Sequence, residues 1–198
     1  MVRDQVGRRI RRLPWVPVPG FGGSIVAAVH MGVVYLIRHA ETTISGVLLG
    51  RLDPPLLALP AKSELAVRSI FSSPLLRAKG TASALFPNHP AVIVENLTEV
   101  SLGEWDGLGW EEIERRDPTL AARKLADWLR VTPPGGEDYG AILARAASAL
   151  EAIRQSEGPL AVVAHSGINA VLWHLLTGCP ITAFRQDYLE VMTHEWID

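Results

Sequence analysis

The sequence predicts an α/β fold in three layers, an α/β/α sandwich with a mainly parallel central sheet. Two observations carry that expectation. Residues 33–37 (VVYLI) and 160–164 (LAVVA) are short apolar runs rich in β-branched residues, the pattern of strands covered on both faces. Between the strand candidates lie segments with helical apolar spacing, and strands alternating with helices build parallel sheets. A chain of 198 residues with 48% hydrophobic residues has room for one domain with a substantial core. That much apolar surface also excludes disorder along its whole length.

Residues 1–30 stand apart from this pattern. They hold five arginines (Arg3, Arg8, Arg9, Arg11, Arg12) against one acid, Asp4, and then Pro14, Pro17, Pro19, Gly20, Gly22 and Gly23. The prolines interrupt any apolar run long enough for a secretory signal or a membrane span, so a flexible basic extension is expected here, with the domain proper over 31–198. Gly20, Gly22 and Gly23 do not make a dinucleotide loop, because Ile25 stands where the third glycine of GxGxxG belongs.

After the strand at 33–37, weaker strand candidates follow at 67–71 and 92–94. Ser73 before Pro74 reads as the N-cap of a helix running to about Leu85. Residues 109–130 are expected to form one or two helices, with Asp117-Pro118 between them. Tyr139, Ile142, Leu143, Ala146, Leu150 and Ile153 recur at 3.6-residue spacing, the buried face of a longer helix. Residues 167–177 form the next, closed by Gly178 and Pro180. A last strand is expected over 189–196.

In parallel sheets of this kind, ligands bind beyond the carboxyl ends of the strands. The first strand ends in Arg38-His39-Ala40-Glu41. The second ends in Ser72-Ser73-Pro74, with Arg77 one turn on, and the LAVVA strand ends in His165-Ser166-Gly167. Each residue alone has a bland reading, a turn histidine or a solvated arginine. Together they place two imidazoles and two guanidiniums on one rim beside helix N-termini, a set suited to phosphoryl groups. A neutral imidazole among cations is a competent nucleophile toward phosphorus.

These segments resemble the histidine phosphatase superfamily, the phosphoglycerate-mutase-like fold. VVYLIRHAET is similar to its strand and RHG/RHA-E-T signature, and GRLDPPL to the G-x-x-D-x-P-L segment that follows. SSPLLRAKGTA resembles S-S-P-x-x-R-A-x-x-T-A, LTEVSLGEWDG resembles L-x-E-x-x-x-G-x-W-x-G, PGGED the P-G-G-E-S turn, and AVVAHSG the second-histidine motif. The resemblance implies that His39 is the nucleophile. It implies that Arg38, Arg77 and His165 clamp the phosphoryl oxygens and that Glu99 is acid and then base. It implies no metal and no cofactor. It also puts an asparagine six residues after the nucleophile, where this chain has Ser45, a hydroxyl with one donor in place of two.

Two further departures stand out. Only 24 positions separate Asp53 from Arg77, and the L-T-x-x-G-x-x-Q-A helix signature is missing, so the first crossover helix is expected to be shortened to a turn or two at most. Asp138 replaces the serine of GGES.

The short acidic segment after Glu99 is similar to the small phosphatases, a branch holding α-ribazole phosphatases and broad-specificity enzymes, and unlike the longer mutases. The expected partner is a small-molecule phosphomonoester. Mutase-type phosphoryl transfer and a non-catalytic module that binds phosphorylated ligands are the alternatives. Trp105 and Trp110 are candidates to stack on a ring of the leaving group, with core packing as the competing role. Near-balanced charge, 19 basic against 21 acidic residues, speaks against nucleic acid as a partner, and nothing points to a membrane. The single cysteine, Cys179, fits a reducing, cytoplasmic setting.

Overall fold

A computed structural model describes residues 31–197; the basic extension, His30 and the three-glycine segment lie outside the described residues. Five strands form one sheet in the order β3-β2-β4-β1-β5. They are β1 (Met31–Arg38), β2 (Ser69–Ser72), β3 (Val92–Ile93), β4 (Leu160–Ala164) and β5 (Val191–Ile197). The first four run parallel, and β5 closes one edge antiparallel to β1. Every residue of β4 is buried, as its unbroken apolar run requires of a strand paired on both sides and covered on both faces.

The helices are α1 (Leu76–Leu85), α2 (Trp110–Arg116), α3 (Pro118–Ala126), α4 (Tyr139–Arg154) and α5 (Ser166–Thr177). They divide unevenly between the two faces of the sheet. Alternate side chains of β1, β2 and β4 (Val34, Leu36, Phe71, Val162) join residues of α2, α3, α4 and α5 in the larger core. The opposite side chains (Ile37, Ile70, Ala161, Val163) meet only Ala78, Ala82, Leu85 and the following Phe86 from a helical segment. The shortened crossover explains the difference. Residues 53–68 contain no helix, and Leu65 and Val67, in irregular backbone, pack against this smaller core.

Several boundaries differ from the sequence reading. The helix expected to start at Ser73 begins at Leu76, with Leu75 at the N-cap and no side-chain cap of its own. Asp53, 23 residues earlier, supplies the cap instead: its carboxylate accepts from the backbone N–H of Leu76 and, at 3.2 Å, from that of Arg77. Asp117 does divide 109–130 into two helices, accepting from Leu120 N–H at 2.9 Å as the cap of α3. Asp138 has the same task for α4, accepting from Ala141 N–H at 3.0 Å. An aspartate in place of the GGES serine is therefore a helix cap.

Candidate active site

The register of the parallel strands assembles the site. Arg38 pairs with Ala164 across β1 and β4, and Ser72 with Val163 across β2 and β4. The backbone pairing continues one step further, His39 N–H to Ala164 O at 2.9 Å and Ser73 N–H to Val163 O at 3.1 Å. His39, Ser73 and His165 are thus level at the carboxyl end of the sheet, and the two imidazole centroids lie 5.0 Å apart.

The tautomers follow from the hydrogen bonds. His39 Nδ1 lies 2.7 Å from the carbonyl of Ala40, which can only accept, so Nδ1 carries the proton and Nε2 keeps its lone pair. Arg77 Nε donates to that lone pair at 3.2 Å and to His165 Nδ1 at 3.2 Å. His165 Nε2 in turn donates to Ser73 Oγ at 2.7 Å. Burial, reinforced by the Arg77 and Arg38 charges against the pull of the Ala40 carbonyl, lowers the His39 pKa from 6.5 to about 3. Burial followed by the Arg77 charge pushes His165 well below the usual histidine value. Both imidazoles are therefore neutral at neutral pH, the form in which nitrogen is nucleophilic.

Arg77 is 1% exposed and engaged on every side. Beyond the two histidines, Nη2 donates to Gly50 O at 2.8 Å, and Nη1 donates to Leu52 O and reaches Asp53 Oδ1 at 3.5 Å. It holds the loop that replaces the crossover helix. Gly50 adopts φ +49° there, and a side chain on it would collide with the Asp106 carboxylate. Arg38 differs. Its Nη1 donates to Gln186 O at 2.8 Å, while its buried Nε has no hydrogen-bond partner among the described residues. An oxygen of a bound phosphoryl group is the kind of acceptor that Nε requires.

Glu99 reaches the site from the irregular segment between Leu97 and Gly103. Its carboxylate lies over the N-terminus of α5, Oε2 accepting from Gly167 N–H at 3.2 Å and Oε1 from Ile168 N–H at 3.0 Å. Oε1 also accepts from Val100 N–H at 2.9 Å. The free amides and positive end of the helix thus hold a carboxylate at the cleft wall.

Arg38, His39, Arg77 and Glu99 open into a cleft of about 860 Å³. Ser45 is exposed on the loop after β1 and does not line that cleft, so the structure does not bring it to the other candidates. Trp105 is a core residue, and Trp110 packs edge-on against it at 6.2 Å; neither lines the cleft. Trp128, Tyr139, Phe184 and Tyr188 are the aromatic residues that do.

Sequence reasoning missed Tyr188. Its ring lies 3.9 Å from the Arg38 guanidinium carbon and 5.6 Å from the His39 ring. The turn that presents it is held by Gln186, whose amide donates to Leu36 O at 2.9 Å and Glu190 O at 3.0 Å and accepts from Asn169 at 2.9 Å. Leu189 completes the turn at φ +61°, a left-handed conformation costly for a branched side chain. Neither a turn geometry nor an Arg–Tyr stack has a local sequence signature.

Among the described residues, no group of three or more His, Cys, Asp or Glu is arranged to hold a metal ion, and no helix is long and apolar enough to cross a membrane.

Comparison with known proteins gives a consistent picture. A family model described as histidine phosphatase superfamily (branch 1) matches residues 34–197. A glucosyl-3-phosphoglycerate phosphatase of Mycolicibacterium vanbaalenii is 32% identical over 170 residues, covering 74% of each chain. A bifunctional protein of Mycobacterium tuberculosis is 36% identical over 124 residues, 56% of this chain; the matched stretch spans only 34% of that longer protein. The crystal structure of the α-ribazole phosphatase from Shigella flexneri superposes with a TM-score of 0.68 at 23% identity, covering 81% of this chain and 89% of the other.

Proposed function

The chain belongs to the histidine phosphatase superfamily, branch 1, and on that premise we propose that it hydrolyses phosphomonoesters of small metabolites through a phosphohistidine on His39. Nε2 of His39 attacks phosphorus and forms a P–N bond as the P–O bond to the alcohol breaks. Glu99, protonated for this step, passes its proton to the departing oxygen. Water then attacks the phosphohistidine with its proton taken by the Glu99 carboxylate, the P–N bond breaks, and inorganic phosphate leaves.

The observation that carries this reading is the fixed tautomer of His39: Nδ1 bound to the Ala40 carbonyl, Nε2 unprotonated and turned toward Arg77 and His165. The two arginines divide the work unequally. Arg38 has a donor to spare and hydrogen-bonds the phosphoryl oxygens. Arg77, whose hydrogen bonds are taken by the loop and the imidazoles, contributes charge and alignment. His165, fully buried behind the cleft wall, accepts from Arg77 Nε at 3.2 Å and so aligns that guanidinium against His39. Side chains supply the cations of this mechanism, so it needs no metal step.

The relatives named as phosphatases act on small phosphorylated alcohols by their names, which is the substrate class proposed here. The test is phosphate release from p-nitrophenyl phosphate in EDTA, with folded His39→Ala beside the wild type. Turnover by the wild type alone supports the proposal. Turnover by both contradicts it, and binding of phosphate esters without turnover by either favours a non-catalytic module.

A further inference from the structure

The segment that carries Glu99 has no regular structure of its own between two short 3₁₀ turns at Glu95–Leu97 and Gly103–Trp105. Its carboxylate nevertheless meets three backbone N–H groups. Something outside the segment must hold it in place, because an irregular loop pays conformational entropy for every residue it fixes.

Two side chains do so. Arg145, on α4, donates Nη1 to Asn96 O at 2.8 Å and to Thr98 O at 2.6 Å, carbonyls three residues and one residue before Glu99. Glu137, at the turn before α4, accepts from Ser101 N–H at 3.4 Å, two residues after Glu99. The Glu137 backbone N–H donates to Ser101 O at 3.0 Å. The two side chains are joined by a double hydrogen bond, Arg145 Nε to Glu137 Oε1 at 2.6 Å and Nη2 to Oε2 at 2.9 Å. Their side chains are only 14% and 12% exposed. Arg51 completes the ring: Nη2 lies 3.3 Å from Glu137 Oε2, and Nε donates to the carbonyl of Glu99 itself at 3.4 Å. Burial pushes the Glu137 pKa up, but Arg145 and the Ser101 amide outweigh it and hold the carboxyl below its usual value.

We propose that Glu137 and Arg145 are positioning residues that grip the backbone on both sides of Glu99 and so set its carboxylate at the α5 N-terminus. This rests on the reading of Glu99 as the proton donor. The planar guanidinium suits the task, since one edge forks onto a carboxylate while the remaining nitrogen reaches two carbonyls. A lysine at 145 could satisfy only part of this set.

The experiment compares two substrates by kcat/KM, which reports steps up to departure of the alcohol. p-Nitrophenol leaves without a proton; glycerol from β-glycerophosphate does not. Glu137→Gln, Arg145→Lys and Glu99→Gln are made singly, and each of the first two is combined with Glu99→Gln. The expected result is a loss of about 10- to 100-fold on β-glycerophosphate and under about 3-fold on p-nitrophenyl phosphate for both positioning variants, with no further loss when Glu99→Gln is already present. Arg145→Lys keeps the charge and guards against a variant that simply fails to fold. Equal losses on both substrates, or losses that persist in the Glu99→Gln background, overturn the proposal. A Glu99→Gln variant with no leaving-group bias overturns the role of Glu99 first, and the positioning role with it. A biased Glu99→Gln beside unbiased Glu137→Gln and Arg145→Lys overturns the positioning role alone.

Discussion

The carboxylate of Glu99 rests on the backbone of Gly167, Oε2 accepting its N–H at 3.2 Å, and a methyl group on that α-carbon would stand 2.6 Å from Oε1. Glycine at this position thus makes room for the Glu99 carboxylate.

Gly167→Ala is expected to displace Glu99. An alanine in the first turn of a helix ordinarily stabilises, by about 0.5–1 kcal/mol. Here that gain meets both the Glu99 clash and Val100 Cγ2 at 3.2 Å. The variant should stay folded in a thermal melt and lose about 10-fold or more in kcat/KM on β-glycerophosphate, with a smaller loss on p-nitrophenyl phosphate.

His39 predicts a stability slope in acid. The folded site lowers its pKa from 6.5 to about 3, so between those values the unfolded chain binds a proton that the folded chain refuses. Stability is fully present above pH 6.5 and is lost as pH falls toward 3. At pH 5 the loss assigned to His39 is about 2 kcal/mol. His165, shifted in the same direction, adds to the slope. Urea midpoints measured from pH 7.5 to 5 should fall less steeply for His39→Gln than for the wild type.

The Tyr188 ring holds the Arg38 guanidinium by its face, a contact worth about 0.5–2 kcal/mol at 3.9 Å. Tyr188→Ala should therefore raise KM and the inhibition constant for inorganic phosphate, by roughly 3- to 10-fold at about 1 kcal/mol. Tyr188→Phe, which keeps the ring, should change them little. Equal effects of both substitutions would shift the role from the ring to the hydroxyl.

Asp53 joins three things at once: the α1 N-terminus, Arg77 and the short crossover loop. Asp53→Ala removes a helix cap and the carboxylate nearest a buried guanidinium. A stability loss of about 2 kcal/mol in urea unfolding is expected, together with weaker phosphate inhibition as Arg77 loses its alignment.

Much of this was legible in the chain because the signals were local. The runs VVYLI and LAVVA became the two central strands, and Asp117-Pro118 divided two helices where an aspartate cap before proline should. His39, His165, Arg38 and Arg77 follow strand ends, so their convergence needed only the parallel sheet. Long-range hydrogen bonds were not legible. Asp53 capping a helix 23 residues away, Arg145 gripping carbonyls more than 40 residues away and Tyr188 folding back over Arg38 depend on tertiary packing. Ser45 was placed by its offset from His39, and offsets along an irregular loop do not fix direction; the residue stands outside the cleft.

The measurement that bears most directly on the account is capture of the covalent intermediate. The folded enzyme is mixed briefly with an aryl phosphate carrying labelled phosphorus, quenched in alkali and cut into peptides. An acid-labile, alkali-stable label is expected on the peptide containing His39, strengthened in Glu99→Gln, where water lacks its base, and missing from His39→Ala. Label on a different residue, or undiminished turnover by His39→Ala, would contradict it.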